Sequence, residues 1–471
     1  MLQDLIAAGP IVVVSVSALL VLLAEAAWKK PLTLQWWISL TGLAVGGVTG
    51  GMSIPVTGTA FGGMLTIGGA AGYWCVVFCA AGFLCLLLSP SYLIRQHMQY
   101  GEYYTLLLFG VVGMMLMASS GDLIIFFLGL ELMSISFYVL TGFARTRLTS
   151  NEASLKYFLL GAFATGFLLY GIALLYGTFG TTSIASIMAG VAAHAHEPLL
   201  MIGLALLLVG LSFKVAAVPF HMWVPDVYEG APTTVSAFMS TGGKAAAFSV
   251  LLIIFTPALV KQEHSLREVL AVVSGLSMVV GNLLAIAQRS IKRMLAYSSV
   301  AHAGYILSGV VAANATGSTG VLFYLLAYTM MNAGAFGVLS LEESPEGTHL
   351  TYDDYAGFGK KKPLTALLMS VFMFSLAGVP PFAGFFGKYY VFAGAVAGGY
   401  TWLAILGVVM SVVSAYYYLR LVVKMYFEEG SESPHIETSL SGMTAIVAAA
   451  LALLGLGVLP SVVLSAVAKF F

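Results

Sequence analysis

One glutamate and three lysines fall inside long apolar stretches of this chain. Glu131 stands in Phe126-Phe-Leu-Gly-Leu-Glu-Leu-Met-Ser-Ile, and Lys214 lies five residues before Pro219. Lys244 sits in Ser240-Thr-Gly-Gly-Lys-Ala-Ala-Ala, and Lys388 in Gly384-Phe-Phe-Gly-Lys-Tyr-Tyr. A charge at the centre of a membrane helix costs on the order of 3 kcal/mol, so four together need a common reason. Structural ion pairs account for one lysine at most, because one central carboxylate is available. Burial disfavours the charged form of a lysine and a nearby carboxylate favours it. Moving the carboxylate, or wetting the site, therefore switches a lysine between holding and releasing a proton. Protonated lysine offers no acceptor to an alkali cation, so the pattern points to protons rather than sodium.

Other polar residues in apolar surroundings could complete a path: His221, Ser298, Ser299, His302, Tyr305, Tyr324, Tyr328 and Asn332. His302 is mid-segment, and histidine ordinarily titrates near neutrality, although a lone histidine equally suits a satisfied core position. His194 and His196 are too weak a pair to propose a metal site. Cys75, Cys79 and Cys85 share one apolar run, 72–94, and read as small hydrophobes. The chain has no CxxC pair, GxGxxG or P-loop, so neither a cofactor nor a metal is expected within it.

The positioning elements show first as interruptions. Val215-Ala-Ala-Val-Pro219 is answered 161 residues later by Leu376-Ala-Gly-Val-Pro380. Each proline removes a helical hydrogen bond and clashes with the preceding turn. Around the second, Gly378, Pro380, Pro381, Gly384 and Gly387 crowd into ten residues. Paired interruptions at corresponding places in two halves point to an inverted-repeat transporter; simple kinks in packed helices are the plainer alternative. The offset suits repeats over spans four to eight and nine to thirteen. An odd number of spans per repeat turns the second copy over.

Composition fixes the medium. Of 471 residues, 60% are hydrophobic and 8% charged, against about 25% charged in a soluble domain. Mean hydropathy is +0.97. Net charge is zero, so nothing suggests nucleic acid. A hydrocarbon core of about 30 Å needs roughly 20 apolar residues as helix. Fourteen segments qualify: 7–27, 35–53, 72–94, 103–120, 122–143, 155–177, 199–224, 232–256, 268–288, 294–313, 318–339, 363–398, 401–426 and 442–466. The expected class is an all-α polytopic membrane protein with broken seventh and twelfth helices. Its divisions are 1–100 (helices one to three), 101–258 and 259–428 (the two repeats) and 429–471 (the last helix).

The first segment lacks a basic leader and cleavage site and reads as a retained span. Loops or helix ends after odd-numbered spans hold fourteen basic residues, among them Lys29, Lys30, Arg147, Lys156, Lys292 and Arg293. Those after even-numbered spans hold two, Lys261 and Arg267. By the positive-inside rule, both termini lie on the outer face.

Long motifs then carry a resemblance. They are Lys214-Val-Ala-Ala-Val-Pro-Phe-His-Met-Trp-Val-Pro-Asp-Val-Tyr-Glu-Gly-Ala-Pro-Thr-Thr-Val, Glu152-Ala-Ser-Leu-Lys-Tyr-Phe and Lys292-Arg-Met-Leu-Ala-Tyr-Ser-Ser-Val-Ala-His-Ala-Gly-Tyr. They resemble the antiporter-like subunits of proton-translocating NADH:quinone oxidoreductase, respiratory complex I, most closely the subunit N branch. The related subunit M has glutamate where Lys388 stands, and subunit L has a long lateral helix beyond the last span, which this chain lacks. The resemblance implies fourteen helices in two inverted five-helix repeats. It implies that Glu131 pairs with Lys214, Lys244 is the central lysine, and Lys388 faces the outer exit, with His221, His302, Tyr305, Pro219 and Pro380 in support. It also implies a translocase subunit of a bacterial inner membrane with no redox site of its own. Flavin, iron–sulfur clusters and quinone would belong to partner subunits, and the neighbours would be subunit M, small membrane subunits and the lipid bilayer. A component of a multisubunit cation/proton antiporter is the alternative.

Overall fold

Backbone polar groups in hydrocarbon must be satisfied within the chain, which leaves helices as the economical solution for these apolar runs. The computed structural model describes residues 1–27, 32–261, 265–344, 350–430 and 439–471. Eleven helices among them are long and apolar enough to cross a membrane, from Gly9–Ala27 to Leu440–Val458. The chain is a multi-pass helical membrane protein. Lys29 and Lys30, used above for orientation, lie outside the described residues.

Two helices form the interior. Ile291–Ala312 and Ala315–Glu342 are each 94% buried over their most apolar window, against 33% for Leu148–Phe179 and Thr401–Phe427. The Lys244 and Lys388 helices pack against this pair, whereas the Glu131 helix packs on Glu102–Ala118 and Leu148–Phe179 and the Lys214 helix on Leu148–Phe179. Leu123–Thr141 carries Glu131 and Pro198–Val215 carries Lys214. Lys244 lies in the Thr233–Val260 helix and Lys388 in Ala383–Ala397.

Both expected interruptions are present, and their correspondence is sharper than the sequence echo. Pro198–Val215 ends on Ala216 at φ +66, and Pro363–Ala377 ends on Gly378 at φ +88. Ala216 N–H bonds Phe213 O and Ala217 N–H bonds Ser212 O; Gly378 N–H bonds Ser375 O and Val379 N–H bonds Phe374 O. These are matching left-handed helix caps. Their spacing is 162 residues, not 161, so the counterpart of Pro219 is Pro381 rather than Pro380. Both prolines follow cis peptide bonds and precede a phenylalanine.

Three other features depart from expectation. A two-stranded hairpin, Gly58–Ala60 with Leu65–Ile67, stands between the second and third apolar segments. Its turn needs positive φ at Gly62 and Gly63, the backbone that glycine permits. The last apolar segment splits at Leu459, because Pro460 forces its predecessor out of helical geometry. Lys292, read as a loop or helix-end cation, belongs to the first turn of Ile291–Ala312 and is 2% exposed. The sequence could not separate it from Arg293, which does reach the surface and pairs with Asp226 and Glu229. Burial pushes the Asp226 carboxyl up, but hydrogen bonds from Lys156 and Arg293 outweigh it and hold it below the ordinary 3.8.

Candidate proton-relay site

The site begins on the Glu131 helix. Glu131 is half-buried, and its Oε1 accepts from Thr165 Oγ1 at 3.0 Å. One turn further, Ser134 Oγ accepts from Lys214 Nζ at 2.7 Å. Lys214 is 7% exposed and stands in the last turn of its helix, where a cation complements the helix dipole. Its amine also lies 5.6 Å from the centre of the Tyr138 ring and 6.0 Å from that of Tyr157. Among the described residues no ion pair joins Glu131 to Lys214. The implied pairing is therefore indirect in this conformation: the two interact at a distance, with Ser134 interposed.

Lys244 follows directly on a π-helical turn, Met239–Gly243, a local widening found often at functional positions. It is 2% exposed, donates to Ser299 O, and lies 5.7 Å from the Tyr328 ring centre. No hydrogen bond connects it to Lys214 among the described residues.

Between Lys244 and Lys388 lies a hydrogen-bonded cluster centred on His302, to which neither lysine is hydrogen-bonded among the described residues. His302 is fully buried, with Nδ1 2.9 Å from Tyr324 Oη and Nε2 3.0 Å from Tyr418 Oη. Tyr418 also bonds Ser298. The His302 ring centre lies 5.1 Å from that of Tyr328 and 5.5 Å from that of Tyr305. Both Lys244 and Lys388 act on His302 through space. Tyr305 Oη accepts from Asn282 Nδ2 at 2.8 Å, and Asn282 Oδ1 accepts from Tyr417 Oη at 2.9 Å.

Lys388 closes the array. Its three protons are engaged by Leu376 O at 3.0 Å, Ala377 O at 2.9 Å and Ser411 Oγ, and the amine lies 4.9 Å from the Tyr305 ring centre. The two carbonyls are those freed by the second interruption, so the broken helix supplies the acceptors. Lys388 also borders an apolar cavity of about 700 Å³ between Ala383–Ala397 and Thr401–Phe427.

The structure thus brings Lys244, His302, Tyr305 and Lys388 together, and Glu131 near Lys214. It does not bring His221 to them: that ring is half-buried in the first interruption, and its Nδ1 has no partner. Sequence reading missed Ser134, Thr165, Asn282, Ser411 and Tyr418. Ser134 was findable at i+3 from Glu131 and Asn282 as a lone amide in segment 268–288; Thr165 and Ser411 are ordinary half-buried hydroxyls, and Tyr418, though fully buried, is one tyrosine among many. Among the described residues no three His, Cys, Asp or Glu side chains converge as metal ligands.

Residues 120–414 match the family model described as NADH:quinone oxidoreductase/Mrp antiporter, TM. NADH-quinone oxidoreductase subunit N of Trichlorobacter lovleyi is 50% identical over 92% of this chain and 89% of that protein. The chain belongs to the subunit N family of NADH-quinone oxidoreductases. A chain of respiratory complex I from Thermus thermophilus, 37% identical, superposes with a TM-score of 0.85 over 97% of this chain and 99% of that one. A chain of the Mrp complex from Dietzia sp. reaches 0.86 over 100% and 97% of the two chains. At 21% identity, that likeness establishes the shared antiporter-like fold of the subunit N family and nothing finer.

Proposed function

We propose that this subunit N family member carries protons across a bacterial inner membrane, driven by NADH-to-quinone electron transfer in partner subunits. Its neighbours are the other membrane-arm subunits, including an antiporter-like subunit M, and the chain holds no cofactor. Glu131 governs the charge on Lys214, Lys244 occupies the centre, and Lys388 borders the exit. The observation that carries the reading is the enclosed array from Lys244 through His302 and Tyr305 to Lys388. Among the described residues neither of those two lysines has a carboxylate partner; each amine is held by neutral acceptors. A cation so placed is stabilised weakly enough to be discharged, which a structural ion pair is not.

Fourteen crossings follow from adding Thr33–Ser53, Glu102–Ala118 and the interrupted pair Pro363–Ala377 with Ala383–Ala397 to the eleven long helices. The two matched caps, 162 residues apart, support inverted repeats over 101–258 and 259–428, between helices in 1–100 and 429–471. The end that gathers Arg147, Lys156, Arg293 and Lys424 is then cytoplasmic, and both termini are periplasmic.

The test is the assembled complex reconstituted into vesicles, with NADH oxidation and lumen acidification recorded together. Lys388→Met lowers protons moved per NADH, and Glu131→Gln does so independently. Wild-type acidification with both variants refutes the relay. A multisubunit cation/proton antiporter component is the competing role; purification without flavin and iron–sulfur absorbance would favour it.

A further inference from the structure

A second buried carboxylate lies apart from the relay. Glu343, one residue beyond Ala315–Glu342, is 1% exposed. Its Oε1 accepts from Arg147 Nη1 at 3.0 Å, and its Oε2 accepts from Tyr92 Oη at 2.8 Å and from Thr233 Oγ1. Arg147 is itself 20% exposed, so the site reaches the surface along that side chain. Lys292 lies within electrostatic range of Glu343 and, more remotely, of Glu229. Its one hydrogen bond goes to Ala231 O. Arg147 is the ion-pair partner of Glu343, and Lys292 acts on the same carboxylate only through space, so its amine is buried with a single backbone acceptor. A structural role gives no reason for that cost.

Helical spacing says where this site leads. Lys292 and Ser299 are seven residues apart on one helix, two turns or about 10 Å, and so share a face. Glu343 and Asn332 are eleven apart at the end of the next helix, three turns or about 16 Å, again on one side. Both faces lead from the Arg147 end to the surroundings of Lys244. There Ser299 Oγ, Tyr328 Oη and both amide atoms of Asn332 are fully buried and make no well-formed hydrogen bond, although Tyr328 approaches both Ser299 and Asn332. Tyr228 also approaches Ser299 and Tyr328. Buried polar atoms paired this loosely near an amine are a place where water can bind. Leu295, Ala296 and Phe336, all 0% exposed, lie between the two regions along these helices.

We propose that Lys292 and Glu343 form a proton-loading site on the cytoplasmic side of Lys244, joined to it by water held at Ser299, Tyr328 and Asn332. The proposal rests on the proton-translocating reading above. In the transfer the Lys292 ammonium gives one proton to the water chain, and the neutral Lys244 amine takes one from its other end. Glu343 stays ionised against Arg147 and supplies the countercharge that draws the next proton onto Lys292.

Arginine separates this role from a structural one, because it keeps the charge and the donor but does not release a proton. Lys292→Arg and Lys292→Met are compared in the assembled, reconstituted complex, with NADH:ferricyanide activity reporting intact assembly. Both variants are expected to lose at least three-fold in protons moved per NADH. Wild-type acidification with Lys292→Arg overturns the proposal, since a positioning cation is rescued by arginine. Should neither variant assemble, Asn332→Leu decides: a loss of three-fold or more supports the water chain, and unchanged acidification removes it. Lys388→Met in the same assay keeps the two readings apart. If Lys388→Met fails to pump while Lys292→Arg pumps normally, only the loading site is lost; if Lys388→Met also pumps normally, the relay falls first.

Discussion

Gly378→Ala should disable Lys388 without touching a charged residue. Gly378 has φ +88, and a Cβ built on it would stand 3.0 Å from Lys388 Cδ and 3.3 Å from its Nζ. A left-handed backbone costs an L-residue roughly 1–2 kcal/mol. The methyl group also crowds the amine away from Leu376 O and Ala377 O, and a hydrogen bond to a charged group is worth about 1.5–3 kcal/mol. The backbone cost and one such bond sum to roughly 2.5–5 kcal/mol, a bias of about 60-fold to several thousand-fold against the observed Lys388 position at 1.4 kcal/mol per tenfold. Ala216→Gly is the internal control. Its φ of +66 belongs to the matching cap at the first interruption, already tolerated by alanine, so glycine relieves strain there and displaces nothing. In reconstituted complex, Gly378→Ala should lose most NADH-driven acidification while NADH:ferricyanide activity holds, and Ala216→Gly should lose little. Wild-type acidification with Gly378→Ala would refute the claim that the second break positions Lys388 for transfer.

Three further outcomes follow from the contacts. Thr165→Val deletes the one donor bonded to Glu131 and should change protons moved per NADH several-fold, whereas Thr165→Ser keeps the hydroxyl and should behave as wild type; equal behaviour of the two in vesicle acidification would remove Thr165 from the mechanism. Asn282→Leu leaves the buried Tyr305 and Tyr417 hydroxyls without their amide partner, at about 1–3 kcal/mol for each unsatisfied group, and should lower the complex's thermal inactivation temperature and its pumping together. The Asp226 carboxyl is held below 3.8 by Lys156 and Arg293, so its contribution is complete above that value and fades as pH falls through the folded-state value. Acid should therefore loosen the Val224–Gly230 segment, as read by limited proteolysis with an acid-active protease, and Asp226→Asn should show the same loosening already at neutral pH.

What the sequence made legible follows from how strongly each signal is penalised. A charge in an apolar run is so costly that Glu131, Lys214, Lys244 and Lys388 stood out unaided. The two interruptions were legible because proline cannot donate a hydrogen bond. Their register was not, because two adjacent prolines satisfy the same echo; only the caps at Ala216 and Gly378 fix it. Hydroxyls such as Thr165 and Ser411 were silent, and Ser134 was marked only by its spacing from Glu131, since serine and threonine sit cheaply in membrane helices by bonding their own carbonyls, as Ser134 does to Leu130 O. Lys292 was hidden for a different reason. Charge counting treats every cation near a span end alike, and the three-dimensional packing that buries Lys292 but exposes Arg293 leaves no trace in hydropathy.

The contacts are dense from Lys244 to Lys388 and sparse from Lys214 to Lys244, and the contrast bears on how the proposed relay avoids leakage. A continuous chain of partners across the bilayer would conduct protons in either direction at all times. Here the second half holds a hydrogen-bonded cluster of His302, Tyr418 and Tyr324 with Tyr305 in ring contact, while Lys214 is parked on Ser134 and Glu131 on Thr165. Each of these two charges has a neutral hydroxyl partner of its own, so either can change partners without first breaking an ion pair. A hydrogen bond to a charged group, about 1.5–3 kcal/mol, is a barrier that a change in a neighbouring subunit can overcome. An ion pair broken on one side would strand a buried charge at about 3–5 kcal/mol. In the proposed relay the hydroxyl partners thus make the Glu131 end the movable part and leave the His302 cluster as the fixed part.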